Sequence, residues 1–439
     1  MTHISTRGLV LLTALGFALS VTAPESEASG QASGSMAEAQ TYPDTLRVSR
    51  LSDVIKGIRN ENPILAAEAL RTAALGQAEE QISTLPDPVV SVTVLPVPIV
   101  TARGSQRSQW QVRQDVPYPG KVGLRRDAAR AMFDASSEGT LETALDLRER
   151  AEWAWSDLLR IQAQDRLVSE FSRTLRDFES VAETRYRVGN GLQQAILKAQ
   201  LERNALENRR LELETGLRSA VETLSRLVGS PIALADSLDP ERDHPPALTS
   251  LTGDSRPDWE RLRAHERRAE AAISLAQRAW YPDFSLSLTW FDIADGTVPQ
   301  SADGRDALAL GVGVRIPLDR NRLRSGLEQA RLEAARVDAE REILANTIRT
   351  DIADLTNQVG QSQRQIALFE NALIPQAETA LAAAVSAYTT GRTDFLNLLD
   401  AHRMLFDLRW TLEDVRARER KALASLRRVT GAPDASPNP

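Results

Sequence analysis

Tyr186-Arg187-Val188-Gly189 returns later in the chain as Tyr388-Thr389-Thr390-Gly391. Both copies run on to matching ends, Leu224-Ser225-Arg226-Leu227-Val228-Gly229-Ser230-Pro231 and Leu426-Arg427-Arg428-Val429-Thr430-Gly431-Ala432-Pro433, at an offset of 202. Upstream the offset falls in steps: Pro117 matches Pro317 at 200, while Pro63 and Pro88 match Pro257 and Pro282 at 194. A duplication with two small insertions produces this staircase. Each copy is then one structural unit that does not bury its apolar faces alone. The first unit is placed at 46–231 and the second at 256–433, with a linker at 232–255 and a C-terminal tail at 434–439.

The stretch from Lys121 to Val188 holds 68 residues without proline, rich in Ala, Leu, Arg, Glu and Gln. All are good helix formers. Its counterpart, Asn321 to Thr390, holds 70 residues with one interior proline, Pro375, which should kink or break the helix. At about 1.5 Å per residue each would reach on the order of 100 Å, far beyond ordinary globular helices. After each Tyr-x-x-Gly a second helix returns. Its apolar residues recur at three and four: Leu192, Ile196, Ala199 and Leu206 in one copy, Phe395, Leu398, Leu399, Leu405, Leu408 and Leu412 in the other. Two helical hairpins follow, at 121–228 and 321–430, and Gly189 and Gly391 sit where a chain leaving a helix needs a left-handed residue.

Strand-like alternation occurs only directly ahead of each long helix. Val90, Val92 and Val94 alternate with Ser91 and Thr93, and Trp110, Val112 and Val116 with Gln111, Arg113 and Asp115. In the second copy Phe284, Leu286 and Leu288 alternate with serines and Thr289. Leu308, Leu310, Val312, Val314 and Ile316 alternate with Ala309, Gly311, Gly313 and Arg315. The β-hairpins are placed at 88–117 and 282–317. Alternation alone fits two half-buried hairpins on a core as well as the lipid-out, water-in pattern of a membrane barrel. In the barrel reading Arg113, Asp115 and Arg315 face the interior, and Trp110, Trp290 and Phe291 are available as interfacial aromatics. Four strands cannot close a barrel, and open edges are forbidden in hydrocarbon, so several chains would have to share one.

The 439 residues carry a net charge of −7, which gives no basic footprint for nucleic acid. Cysteine is absent, which removes disulfides, thiol catalysis and a lipid-modified N-terminal cysteine. Residues 1–28 read as an export signal: Arg7, an apolar run from Gly8 to about Val21, then small residues. The Ser/Gly/Ala/Glu-rich segment 29–45 reads as flexible. No other run approaches the roughly 20 apolar residues of a transmembrane helix. His244, His265 and His402 lack metal-ligand spacing. Gly311-Val312-Gly313 lacks a third glycine and a strand-to-helix context, and reads as close packing in a strand. No nucleophile, base and orienter can be assembled, and neither enzyme activity, cofactor nor bound metal is expected.

The paired Tyr-x-x-Gly turns, Arg256-Pro257-Asp258 leading into Ala279-Trp280-Tyr281-Pro282-Asp283-Phe284-Ser285-Leu286, and Ile374-Pro375 with the Ala-rich run to Tyr388 form an ensemble that resembles TolC-type outer membrane efflux channels over nearly all of the mature chain. Val116-Pro117-Tyr118-Pro119-Gly120-Lys121 is similar to the form in that family's heavy-metal branch, although it is also an ordinary turn signature. The resemblance implies a mainly α protein with a membrane β part: a homotrimer whose twelve-stranded barrel continues into a periplasmic helical tunnel. Its implied partners are outer membrane lipid, a periplasmic adaptor and an inner membrane pump of the RND type. It also implies a periplasmic gate at Asp400 and Asn397 with Tyr388 as the linking residue. Adaptor-contacting tips fall at Val188, Gly189, Asn190, Gly191 and Leu192, and at Gly391, Arg392 and Thr393. Asn397 departs from the family's usual acid, and Ala195 stands where some members carry an acidic partner. Asp394 as a helix cap and Asp400 as a solvated residue form the plainer alternative. A periplasmic adaptor or exported coiled-coil scaffold is the rival class, but those have one long hairpin between sheet domains, not two full copies.

Overall fold

The computed structural model describes residues 46–101, 104–189, 191–235, 238, 256–294 and 306–431. The first unit runs β1 (Leu46–Val48), α1 (Leu51–Glu61), α2 (Pro63–Ile82), β2 (Val89–Thr101), β3 (Gly104–Val116), α3 (Lys121–Arg187), α4 (Gln193–Val228) and β4 (Ile232–Leu234). The second runs α5 (Pro257–Arg278), β5 (Asp283–Ala294), β6 (Ala307–Arg315), α6 (Arg320–Leu368), a π turn (Phe369–Leu373), α7 (Ile374–Thr389) and α8 (Phe395–Thr430). The order helix, β-hairpin, long helix, returning helix occurs twice.

Local chemistry sets the boundaries. Asn62 caps α2, its Oδ1 accepting from the backbone N–H of Ile64 and Leu65, and Pro63 takes the first helical position, where its missing N–H costs nothing. Pro257 opens α5 the same way. Pro375 does not stop its helix. The ladder ahead of it loosens into the π turn, where the N–H of Ile374 reaches back to the carbonyl of Phe369, and α7 continues. The extra residue in that turn relieves the clash a proline ring makes in a regular α-helix.

The strands form one antiparallel sheet in the order β2-β3-β5-β6, so the two hairpins join edge to edge through β3 and β5. The register aligns the apolar residues in rows: Val90, Val112, Leu288 and Leu310 pair across the four strands, and Val92, Trp110, Trp290 and Leu308 form the next row. All eight are exposed, Leu310 to 79%. The opposite face carries Ser91, Gln111, Thr289 and Ala309 in one row, and Arg113, Ser287 and Gly311 in another. A soluble sheet hides its apolar face; this one presents it. Phe291 corrects the sequence expectation. It pairs with Gln109 and Ala307 on the polar face, because the pleat turns neighbours Trp290 and Phe291 to opposite sides. Pro96 and Pro98 lie in edge strand β2, beside the register shift between Val94 and Ile99. Gly311 and Gly313 admit the β5 serines: a Cβ there would come within 2.6 Å of Ser287 Oγ and within 2.4 Å of Ser285 Oγ.

The helices continue the strand order. Near the sheet α3 packs between α2 and α5, and α5 packs on α6; farther on α3 packs on α4 and α8, and α8 on α6 and α7. One core joins α3, α4, α7 and α8 near the hairpin tips, with Phe171, Leu175, Ala199, Leu206, Leu398 and Leu399 at its centre. A second lies midway, where Val48, Val54, Leu158, Leu224 and Ile232 meet. There β1 pairs in parallel with β4, Leu46 opposite Ile232, and ties the start of the first unit to its end. Three-residue strands carry no periodic signal and were not legible in the sequence. Among the described residues no helix is long and apolar enough to cross a membrane.

Candidate functional site

Both helical hairpins end in the same turn. Gly189 and Gly391 have φ of 75° and 73°, and each donates its N–H to the tyrosine carbonyl three residues back, at 3.0 and 3.1 Å. In the second tip Arg392 N–H also reaches the carbonyl of Ala387 at 2.8 Å, which completes a Schellman motif. A Cβ at either glycine would touch nothing within 4 Å, so the left-handed backbone alone demands glycine. Gly191 is different: a Cβ there would lie 2.9 Å from the N of Tyr186, where the returning chain presses on the helix end. Leu192 is not in the helix core. It precedes α4 and is 72% exposed, because α4 begins only at Gln193. Asn190 and His244 lie outside the described residues.

The two tyrosines of the repeated motif part company. Tyr186 is half exposed, whereas Tyr388 is buried. Tyr388 meets Phe395 edge-on at 5.6 Å, and the Arg185 guanidinium stands 4.5 Å over its ring. Arg185 Nη2 also donates to the carbonyl of Thr389 at 3.0 Å, so the end of α3 is fastened to the second tip. Burial raises the Tyr388 phenol above its ordinary value, with Arg185 opposing. Arg185 had no signal in the sequence, being one of many helix arginines. Between the tips lies a cleft of about 280 Å³ that includes Arg185, Gly191, Leu192, Lys198, Tyr388 and Asp394 in its wall.

Asp394 caps α8, accepting from Asn397 N–H at 3.1 Å. Asn397 gives its side-chain amide to Thr393 Oγ1 at 2.9 Å. Asp400, one turn on, is exposed and forms no ion pair among the described residues; Arg403 beside it is engaged by Glu202 of α4. On the other face of α8, His402 is 2% exposed against Phe171 and Phe178, ring centres 4.8 and 5.5 Å away, and its Nε2 has no hydrogen-bond partner. Burial lowers its pKa from 6.5 to about 4. It is a neutral core residue.

At the sheet, Arg113, Asp115 and Arg315 come together on the polar face. Asp115 Oδ1 lies 3.3 Å from Arg113 Nε, and its Oδ2 lies 3.4 Å from Arg315 Nη2. Where strands give way to helices, buried Lys121 donates to Asp283 Oδ1 at 2.8 Å and to the carbonyl of Tyr281 at 3.0 Å. Tyr118 stacks on Tyr281 there at 4.7 Å. No group of three His, Asp or Glu among the described residues is placed to hold a metal ion.

A sheet with a solvent-facing apolar side, continued by helices of some 100 Å, defines a channel subunit whose strands belong in a membrane and whose helices stand outside it. The family model described as "Outer membrane efflux protein" matches residues 248–432, essentially the second repeat. The cobalt-zinc-cadmium resistance protein CzcC of Cupriavidus metallidurans is 24% identical over 390 residues, which cover 84% of this chain and 90% of that protein. A crystal structure of CusC superposes with a TM-score of 0.75 at 18% identity, covering 90% of this chain and 95% of that one. The outer membrane protein VceC of Vibrio cholerae does so at 0.73 and 21%, covering 87% and 96%. The protein is an outer membrane efflux channel with a large periplasmic helical part. Members of the family are channel proteins.

Proposed function

We propose that three copies of this chain form a passive exit duct that takes divalent metal cations from a periplasmic adaptor and an inner membrane pump of the RND type. The observation that carries the trimer is the sheet. Its apolar face is exposed and its edges, β2 and β6, are unpaired among the described residues, so four strands satisfy their backbone in lipid only when neighbouring copies complete a closed wall. Three copies give twelve strands. The duct has no energy source of its own, and transport is driven by the partners.

The periplasmic end is the gate. Asp400 projects from α8 on the face away from Leu398, Leu399 and His402, and three copies of it around an axis repel one another, favour cations and oppose full closure. Asn397 stands one turn nearer the tip, and Tyr388 with Arg185 fastens the second hairpin to the first. The exposed tip residues Val188, Gly189, Leu192, Gly391 and Arg392, with half-exposed Gly191 and Thr393, form the surface offered to the adaptor, and Asn190 belongs to the same turn by sequence. Arg113, Asp115 and Arg315 line the barrel interior. The metal reading rests on the similarity to CzcC. Deleting the gene should sensitise cells to cobalt, zinc or cadmium with drug tolerance unchanged. Sensitisation to drugs alone would refute the metal assignment and leave the duct.

A further inference from the structure

The outer seam of this duct has a template inside the chain. At the inner seam β3 and β5 pair, α3 leaves β3 and α5 enters β5, and the two helices pack together. By the internal repeat, β6 stands for β3 and β2 for β5. A closed wall pairs β6 of one copy with β2 of the next, antiparallel, and sets α6 beside the neighbour's α2 just as α3 sits beside α5. Within one chain α2 and α6 are held apart by α3 and α5.

Charges hold the inner seam. Arg267 of α5 lies 2.9 Å from Asp134 of α3, and Arg261 lies 3.1 Å from Glu142. The entering helix supplies the cations and the leaving helix the anions. At the outer seam the signs are exchanged. The last turns of α2 carry Glu79 and Glu80 with no basic residue, and the first two turns of α6 carry Arg320, Arg322 and Arg324 with no acidic one. None of these five side chains has an ionic partner among the described residues. The register fits as well. Arg261 and Glu142 stand 21 residues before Pro282 and 25 after Pro117, and the corresponding prolines at the outer seam are Pro88 and Pro317. Glu80 and Arg324, eight before and seven after the same two prolines, fall opposite each other nearer the barrel.

We infer that α2 of each protomer docks on α6 of the next through Glu79 and Glu80 against Arg322 and Arg324, a latch of reversed polarity relative to the inner α3–α5 seam. The reversal gives it a second role. If α5 of a misassembled copy took the place of α2, the arginines of α6 would meet Ile273 and Ser274, nine and eight residues before Pro282, and Arg278 in place of Glu79 and Glu80, so the charges discriminate the correct repeat order as well as holding it. The inference rests on the trimeric reading above.

The chain has no cysteine, so introduced thiols report one contact. Glu80→Cys combined with Arg324→Cys in the full-length protein, purified in detergent and treated with a short bis-maleimide, should give a covalent trimer that neither single-cysteine variant gives. A trimer by light scattering that yields no covalent trimer overturns the latch and leaves the trimer standing. A parent protein that is monomeric in detergent overturns both. As an independent check, Glu79→Arg with Glu80→Arg should lower the trimer fraction several-fold at low salt and less at high salt, and adding Arg322→Glu and Arg324→Glu should restore it. An unchanged trimer fraction in the first of these variants refutes the latch.

Discussion

Acidification should loosen the periplasmic tip through His402. Its pKa is about 4 in the folded chain against an ordinary 6.5. The cause is burial among Phe171 and Phe178, which disfavours the charged ring; the Glu202 carboxylate opposes this only in part. Between those two values the opened state binds a proton that the packed state does not, so stability falls as the pH drops from about 6.5 towards 4. Above pH 6.5 the packed tip is unaffected, and below 4 the loss is complete. The full effect is about 3 kcal/mol per protomer, and about 2 kcal/mol, roughly thirty-fold in local opening, is already present at pH 5. Hydrogen exchange of the segments around 171–178 and 398–406, expressed as protection factors to remove the intrinsic pH dependence, measures it. His402→Leu keeps the volume roughly constant and removes the titrating group, so its protection should be flat between pH 7 and 5. Protection in the parent that is equally flat would refute the assignment of His402 as the titrating group.

Further expectations concern the tips and the sheet. Asp400→Ala should raise single-channel conductance or weaken cation preference in planar bilayers; unchanged currents would remove Asp400 from the gate. Gly391→Ala, whose added methyl meets no neighbour, should cost only the left-handed backbone penalty, about 1–2 kcal/mol, read as faster exchange at the second tip with trimer assembly intact. Arg185→Ala should release the second tip from α3, seen as faster exchange in 385–395 without change near Phe171. Gly313→Val should impair barrel assembly because its Cβ would fall within 2.4 Å of Ser285 Oγ, and Ser285→Gly should partly restore it; heat-modifiable gel mobility reports both.

Much of this molecule is written locally. The proline-free run from Lys121, the period-two alternation from Val90 and from Phe284, and the paired Tyr-x-x-Gly turns each depend on neighbours within a few residues, so helix length, strand faces and tip glycines are legible from the chain. Strands of that pattern beside helices of that length point to a shared membrane barrel continued by helices, and the efflux role came from the resemblance that the repeated motifs carry. Other features depend on what lies opposite. The same motif tyrosine is buried at 388 and exposed at 186, since only the second tip turns its ring under Arg185, a residue some 200 positions away. His402 looked like any polar helix residue until Phe171 and Phe178 closed around it. Phe291 faces the polar side because register, not composition, assigns faces. The sequence alone determined the repeat, the long helices, the two β-hairpins and most of their alternating faces, which are short-range properties of the backbone and side-chain spacing. Only the tertiary structure decided which side chains meet across α3, α7 and α8 and which strand edges stay open, because contact over long sequence separation is set by how whole elements pack.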